Sequence, residues 1–201
     1  MTNIVVLNYN ASSDTIRCLS SLLNLIERKY KVIVVDNNSS DNSFNKLREY
    51  LTTINLPYII KEENNLLSDI SSDNILVLLK AKKNLGYGYG NNLGIKYSIL
   101  DQSCKYVWIL NNDSVVDRNS LSELIKHPNL NTVYGAKILH SKYNTIIESL
   151  GGTINKYTLM TKHNFSNNVD HEKKINIPRI DYIHGASIFL NKEIFNKIGL
   201  F

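Results

Sequence analysis

The sequence predicts an α/β fold in which a mostly parallel central sheet carries helices on both faces and is followed by a smaller mixed or antiparallel part. Two observations carry this. Up to residue 130, apolar β-branched runs of strand length alternate with apolar stripes at helical spacing, and each run ends in polar turn and cap residues. Beyond Asn131 the helical spacing fades and short strand-like runs follow one another. The expected organisation is one domain over 1–201, with 1–130 as its ligand-binding part and 131–201 added to it.

Asn3 to Leu7 reads as a buried first strand, and Asn8-Tyr9-Asn10-Ala11-Ser12-Ser13-Asp14 as the turn that starts a helix. Ile16, Leu19, Leu22, Leu23 and Ile26 recur at three and four, the stripe of that helix. Lys31 to Val35 is the second strand. Asp36-Asn37-Asn38-Ser39-Ser40-Asp41 ends it, with Asp41 as the expected cap of a helix carrying Phe44, Leu47 and Leu51. Leu56 to Asn74 reads as a short strand at Pro57-Tyr58-Ile59-Ile60 plus a surface insertion. Ile75 to Leu79 is strand-like and leads to Asn84-Leu85-Gly86-Tyr87-Gly88-Tyr89-Gly90-Asn91-Asn92, where glycines let a backbone approach a ligand closely. A helix with Ile95, Ile99 and Leu100 follows, then the apolar strand Tyr106 to Leu110, which ends in Asn111-Asn112-Asp113. Asp117 or Asn119 caps a helix with Leu121, Leu124 and Ile125 that Pro128 ends. The later strands are expected at Val133 to Leu139, Thr145 to Leu150, Gly152 to Met160 and Ile180 to Leu190, with Asn164 to Asn176 as the mobile loop.

Composition excludes several classes. With 201 residues, 43% apolar and 20% charged, the chain can bury a core and is neither disordered nor a disulfide scaffold. Its longest apolar runs are far short of the ~20 residues of a membrane helix, and its first residues lack the pattern of a secretory signal. Cys18 and Cys104 have no second Cys or His at metal spacing and read as ordinary thiols of a reducing compartment. A net charge of +5 suits an acidic ligand such as a nucleoside diphosphate, or an anionic membrane surface. The basic residues are scattered, which argues against nucleic acid.

A parallel sheet binds ligands outside the carboxyl ends of its strands, so the polar strand ends are the candidate site. Asp113 ends the most apolar strand of the middle region, and one carboxylate together with bound phosphates is how Mg²⁺ or Mn²⁺ is usually held. A helix or turn cap is the competing reading of Asp113, as it is of Asp36 and Asp41. Gly86-x-Gly88-x-Gly90 loosely matches a dinucleotide fingerprint, but its spacing departs from G-x-G-x-x-G, and two strand-helix units precede it where that fold would have none.

The four segments Leu7-Asn8-Tyr9-Asn10, Val35 to Asp41, Asn84 to Asn92 and Leu110-Asn111-Asn112-Asp113 are more specific together than any one. In this order they resemble the nucleotide-sugar domain of family-two inverting glycosyltransferases of GT-A fold, especially the rhamnosyltransferase-like branch. Ser149-Leu150-Gly151-Gly152 and His184 to Leu190 look like that branch too, so the resemblance spans nearly the whole chain. It implies a loop of Asn8, Tyr9 and Asn10 lining the nucleotide, and Asp36 on the base or ribose. Gly90, Asn91 and Asn92 would close over the donor, with Asn38 and Asn112 beside it. Asp113 matches the last acid of a metal-binding D-x-D type motif, here Asn111-x-Asp113, for Mg²⁺ or Mn²⁺. Asn111 in place of an acid removes one anionic ligand but keeps a carbonyl oxygen. His184, Gly185 and Ala186 match a loop near the reacting sugar and acceptor.

The implied reaction is sugar transfer from a nucleoside-diphosphate donor, dTDP-rhamnose for this branch, to a glycan or lipid-linked acceptor in surface polysaccharide synthesis. The implied place is the cytoplasm, at or near the inner face of the membrane, and a peripheral membrane contact stays open. In relatives the carboxylate general base follows a segment like Lys197-Ile198-Gly199-Leu200-Phe201, so the base is expected beyond Phe201. Glu148, Asp181 and Glu193 match no family position. The expectation is a chain truncated at its carboxyl end that binds a nucleotide sugar and transfers it poorly; efficient transfer by these 201 residues would overturn it. The alternative is a nucleotide-sugar-binding module without catalysis.

Overall fold

The computed structural model describes residues 1–66, 70, 75–126, 129–171, 175–177 and 179–201. The chain forms two compact units, Met1–Thr132 with Phe189–Phe201, and Val133–Ile188. In chain order the elements are β1 Thr2–Asn8, α1 Ser12–Leu23, β2 Tyr30–Asp36, α2 Ser43–Thr53, β3 Tyr58–Glu62, a 3-10 turn Glu63–Asn65, β4 Leu76–Lys80, α3 Tyr87–Leu100, β5 Tyr106–Asn111 and α4 Ser120–Ile125. Then come β6 Val133–Gly135, β7 Ile138–Leu139, β8 Ile147–Ser149, β9 Gly152–Ile154, β10 Thr161–His163, β11 Ser187–Asn191 and α5 Ile194–Ile198.

The first unit is built on strands in the order β3-β4-β2-β1-β5-β11. The pairs β3/β4, β4/β2, β2/β1 and β1/β5 are all parallel, with α1, α2 and α3 as the helical crossovers from β1 to β2, β2 to β3 and β4 to β5. Covered on both faces, β2 is buried along its whole length, and β1, β4 and β5 nearly so. That is why these strands read as unbroken apolar runs instead of alternating ones. The register sets Asn8 beside Asp36 and Leu7 beside Asn111, so the polar strand ends share one edge.

Local departures from the expected elements have identifiable causes. Helix α1 stops at Leu23, leaving Ile26 exposed, and buries Thr15, Cys18, Leu19 and Leu22. Asn42, not Asp41, is the residue before α2, and Asp41 acts one position earlier by accepting from Ser43 N at 2.9 Å. The Ser43 hydroxyl first, and this N–H second, hold the Asp41 carboxyl below its ordinary value. Asn119 precedes α4, with Asp117 Oδ1 accepting from its N–H at 2.8 Å. Pro128 and much of the Leu56 to Asn74 insertion lie outside the described residues. The last part of the chain returns to the first unit, where Phe189 stacks on Tyr106 at 5.2 Å and Lys192 N donates to Lys105 O at 3.0 Å.

At the amino ends of the strands the polar groups close on one another. Lys31 Nζ lies 2.8 Å from Asp101 Oδ2, both side chains being almost fully buried. Asp101 Oδ1 accepts from Ser103 N and Oγ, and Asn3 Nδ2 lies 3.3 Å from Oδ2. Burial works against the Asp101 charge, but the bonds from Lys31, Ser103 and Asn3 outweigh it and hold the carboxyl below its ordinary value.

The second unit carries two antiparallel pairs, β7 with β8 and β9 with β10. The long strands expected there are broken into pieces of two or three residues. The run Gly152 to Met160 ends at Asn155, whose Oδ1 accepts from Tyr157 N and Thr158 N at 2.9 and 3.1 Å and turns the chain. Segment 164–171, expected to be mobile, is tied by Ile147 N to Asn168 O and by Asp170 N to Thr145 O, at 2.8 and 2.7 Å. Among the described residues no helix is long and apolar enough to cross a membrane.

Candidate functional site

At the carboxyl ends of β1, β2 and β5 a cleft of about 360 Å³ opens in the first unit. Leu7 and Tyr9 line it from β1, Asn37 from the loop after β2, and Asn84, Gly86 and Tyr87 from the entry to α3. Asn111, Asn112 and Asp113 close it from β5. A larger groove of about 470 Å³ runs along Thr52–Tyr58, at the amino end of β3, and has no carboxylate or histidine in its lining. The smaller cleft is therefore the one with chemistry.

The strand ends are joined beneath the cleft by a chain of hydrogen bonds. Asn112 Nδ2 donates to Thr15 Oγ1 at 3.0 Å, Thr15 Oγ1 to Asn8 Oδ1 at 2.8 Å, and Asn8 Nδ2 to Asp36 Oδ1 at 2.7 Å. Asp36 is fully buried, and both its oxygens are engaged, Oδ1 also by Ser39 Oγ at 2.6 Å and Oδ2 by Ser39 N at 3.1 Å. Its carboxylate holds the loop together and faces inward. Asn10, with φ 51°, accepts from Ser40 N at 2.8 Å, and Asn38 beside it has φ 56°. Both tolerate the left-handed region because a short amide side chain bonds locally.

The glycine segment divides its labour. Gly86, at φ +92°, makes the turn into α3, while Asn37 Nδ2 donates to Asn84 Oδ1 and Gly86 O at 2.9 and 3.2 Å. Helix α3 begins at Tyr87, so Gly90 lies inside it and serves packing: a Cβ there would collide with Leu7 Cδ1 and sit 3.1 Å from Asn37 Cγ. Asn91 Nδ2 donates to Tyr87 O at 3.0 Å. The Oδ1 atoms of Asn37 and Asn91 are buried without a partner, an uncommon state for a polar atom. Asn92 is bonded on both sides to the backbone of Phe201, at 2.7 and 3.1 Å.

Across the cleft the Tyr87 hydroxyl donates to Asn111 Oδ1 at 3.3 Å, and burial pushes that phenol above its ordinary value. Asp113 is exposed, and no hydrogen bond or ion pair among the described residues occupies its carboxylate; only its backbone oxygen is held, by Arg17 Nη2 at 3.3 Å. Cys18 lies below, with Sγ 3.8 Å from Asn111 O. Burial and the Asp113 charge push its thiol up to about 12, so it stays neutral and inert. Burial likewise raises Cys104 to about 11.

The family model for glycosyl transferase family 2 matches residues 3–199. The chain belongs to glycosyl transferase family 2. Among curated proteins it is 24% identical over 199 residues to the low-salt glycan biosynthesis hexosyltransferase Agl10 of Haloferax volcanii, covering 98% of this chain and 54% of that protein. Among solved structures it is similar to the mannosyltransferase PcManGT of Pyrobaculum calidifontis, in complex with GDP-Man and Mn²⁺. The TM-score there is 0.63 at 14% identity, covering 100% of this chain and 47% of that one. A structure of S. aureus TarS 1-349 in complex with UDP gives 0.57 at 14% identity, covering 98% and 48%. These likenesses establish the GT-A type fold, and the chain spans about half the length of the relatives it matches.

For a divalent cation the cleft has one carboxylate without a protein partner among the described residues, Asp113, and one carbonyl oxygen, Asn111 Oδ1, which already accepts from Tyr87. Hard oxygen donors suit Mg²⁺ or Mn²⁺. No cluster of three or more His, Cys, Asp or Glu converges among the described residues, so such an ion would complete its shell with ligand oxygens and water. The sequence-expected site residues divide accordingly. Tyr9, Asn111, Asn112 and Asp113 line the cleft, whereas Asn8, Asp36 and Asn91 are buried beside or beneath it. Asn37, Asn84 and Tyr87 were not singled out from sequence, although all lie inside the quoted motif segments, and Gly86 was noted only as part of the glycine cluster. His184, Gly185 and Ala186 belong to the second unit, where His184 Nδ1 accepts from Ala186 N at 3.2 Å and its ring lies 5.4 Å from that of His163.

Proposed function

We propose that this chain binds a nucleoside-diphosphate sugar in the cleft at the strand ends and serves its transfer, with inversion, to a glycan or lipid-linked acceptor of surface polysaccharide synthesis. The observation that supports this best is the free Asp113 carboxylate beside Asn111 in a cleft whose other lining is amide, phenol, backbone and Leu7. Asp113 and Asn111 would hold Mg²⁺ or Mn²⁺, which supplies charge neutralisation on the leaving diphosphate. The remaining groups position: Tyr9 and Tyr87 offer flat, half-exposed rings for a base or sugar, and Asn37, Asn84 and Asn112 offer amides. We take dTDP-rhamnose as the donor the motifs imply; GDP-mannose, the ligand of the PcManGT structure, is its competitor in the test.

Transfer also needs a carboxylate general base. Asp181 is engaged by Arg179 Nε and Ile154 N, both at 2.8 Å, and Glu193 by Asn196 Nδ2 at 2.7 Å. Neither is proposed as the base. With these two carboxylates engaged and Glu148 exposed on β8, the second reading is nucleotide-sugar binding by this chain without transfer of its own. Calorimetry with UDP, dTDP and GDP, each with and without Mn²⁺, tests both readings. Binding of one nucleotide with micromolar to millimolar affinity supports them, and sugar release to an acceptor then separates transfer from binding. No binding in any combination overturns both.

A further inference from the structure

We propose that the β9–β10 hairpin of the second unit is a lipid-docking tip that inserts into the surface of an anionic bilayer. The six-residue loop 155–160 between the strands carries Tyr157, Leu159 and Met160, which are 97%, 75% and 71% exposed. Three large apolar side chains within four residues, nearly free of protein contact, are not what scattered surface apolarity looks like. Nor are they a fraying turn. Asn155 Oδ1 accepts from Tyr157 N and Thr158 N, Leu159 N donates to Asn155 O at 2.8 Å, and Asn155 N donates to Met160 O at 2.9 Å. The loop is thus fixed in the form that presents these side chains, with Leu159 held at φ 57°, a conformation costly for a leucine.

Charge identifies the partner. Lys156 and Lys162 flank the apolar residues, both are exposed, and neither is ion-paired among the described residues. From Ser149 to Val169 the sequence has no Asp or Glu. Asp181, which reaches the hairpin through Ile154 N, is paired with Arg179 and also attracts Lys156, more weakly. An apolar tip flanked by two lysines matches the two signals that together hold a peripheral protein on anionic lipid: buried hydrocarbon, and lysine heads that remain among the phosphates. Three side chains on a convex loop fall far short of the roughly 800 Å² per partner of a standard protein interface, so a bilayer fits the tip better than a protein does. The proposal stands apart from the donor site and does not depend on it.

Cosedimentation of the full chain with phosphatidylcholine vesicles, with and without phosphatidylglycerol, tests it. Binding is expected only with phosphatidylglycerol and should weaken as salt is raised. Replacing Tyr157, Leu159 and Met160 together by Ser should lower the partition coefficient at least about tenfold, and Lys156→Gln and Lys162→Gln about fivefold each. Circular dichroism melts check that the variants fold. Tyr157→Trp supplies a readout that needs no loss of binding, because its emission should shift to the blue on phosphatidylglycerol vesicles while buried Trp108 stays constant. Absence of binding to phosphatidylglycerol vesicles overturns the proposal, as does unchanged binding by the triple variant. Self-association in ultracentrifugation that the triple variant abolishes, without vesicle binding, would also overturn it and assign the tip to a second copy.

Discussion

The two ends of the central sheet use the same kinds of residue in opposite ways. At the amino ends, Lys31, Asp101, Ser103 and Asn3 form a buried cluster in which charge answers charge at 2.8 Å. At the carboxyl ends, an inner ring of Asn8, Asp36, Ser39 and Thr15 is equally closed, but an outer ring of Tyr9, Asn111, Asn112 and Asp113 faces a cleft, its one carboxylate unengaged. Polar residues at the ends of parallel strands are therefore not all of one kind. Those whose partners are protein groups hold the fold, and those left facing the cleft are available to a ligand.

The largest expected effect lies at the closed end. Lys31→Met leaves the Asp101 charge buried and unanswered, and should lower stability by about 3–5 kcal/mol in chemical denaturation. Its pH dependence sharpens the point. The Asp101 carboxyl is lowered in the folded chain, so its contribution is present above the unfolded value and is lost as the pH falls through the folded one. In Lys31→Met the protonated acid needs no counterion, so the gap between variant and parent should narrow as the pH is taken below about 4. A gap independent of pH would mean the lysine acts through packing alone.

Next in size is the inner ring of the open end. Asp36→Ala removes the buried acceptor shared by Asn8 Nδ2, Ser39 Oγ and Ser39 N, leaving Asn8 Nδ2 only its 3.1 Å bond to Ser39 Oγ, and should cost about 1–3 kcal/mol in thermal or chemical melts. Nucleotide affinity would fall with it, because Asn8 and Asn112 lose their common support. A stable Asp36→Ala protein with affinity lost would instead make Asp36 a direct ligand of the donor. Smallest is Tyr87→Phe, which frees Asn111 Oδ1. Stability should stay within about 1 kcal/mol of the parent, while Mn²⁺-dependent nucleotide affinity, read by calorimetry, rises a few-fold.

How much of this was legible in the sequence follows from burial. Strands β1, β2, β4 and β5 were readable because parallel strands covered on both faces are continuous apolar runs, and their polar ends marked the edge where the cleft opens. The place of Asn111 at the end of β5 and of Asp113 just after it was readable for the same reason. The inward turn of Asp36 was not, because the bonds that fix it come from Asn8, on another strand, and from a loop whose conformation rests on left-handed Asn38. Asn37, Asn84 and Tyr87 act through partners remote in sequence, so no local pattern raised them above their neighbours. Gly90 was read with the loop that closes over the donor; in the fold it lies inside α3 and, with Gly94, lets that helix approach β1. In the second unit, short strands interrupted by side-chain-capped turns such as that at Asn155 leave too few residues for a periodicity to show.

The central claim is that the open ring at the carboxyl ends is a cation-assisted diphosphate site centred on Asp113. Its most direct test is the nucleotide dissociation constant by calorimetry, with Mn²⁺ and with chelator, for the parent chain and for Asp113→Ala. The account predicts that Mn²⁺ tightens binding to the parent at least about tenfold, and that Asp113→Ala, an exposed substitution that leaves the melt unchanged, abolishes that gain. An equal Mn²⁺ effect in both proteins, or tight binding by the parent that ignores Mn²⁺, would contradict it.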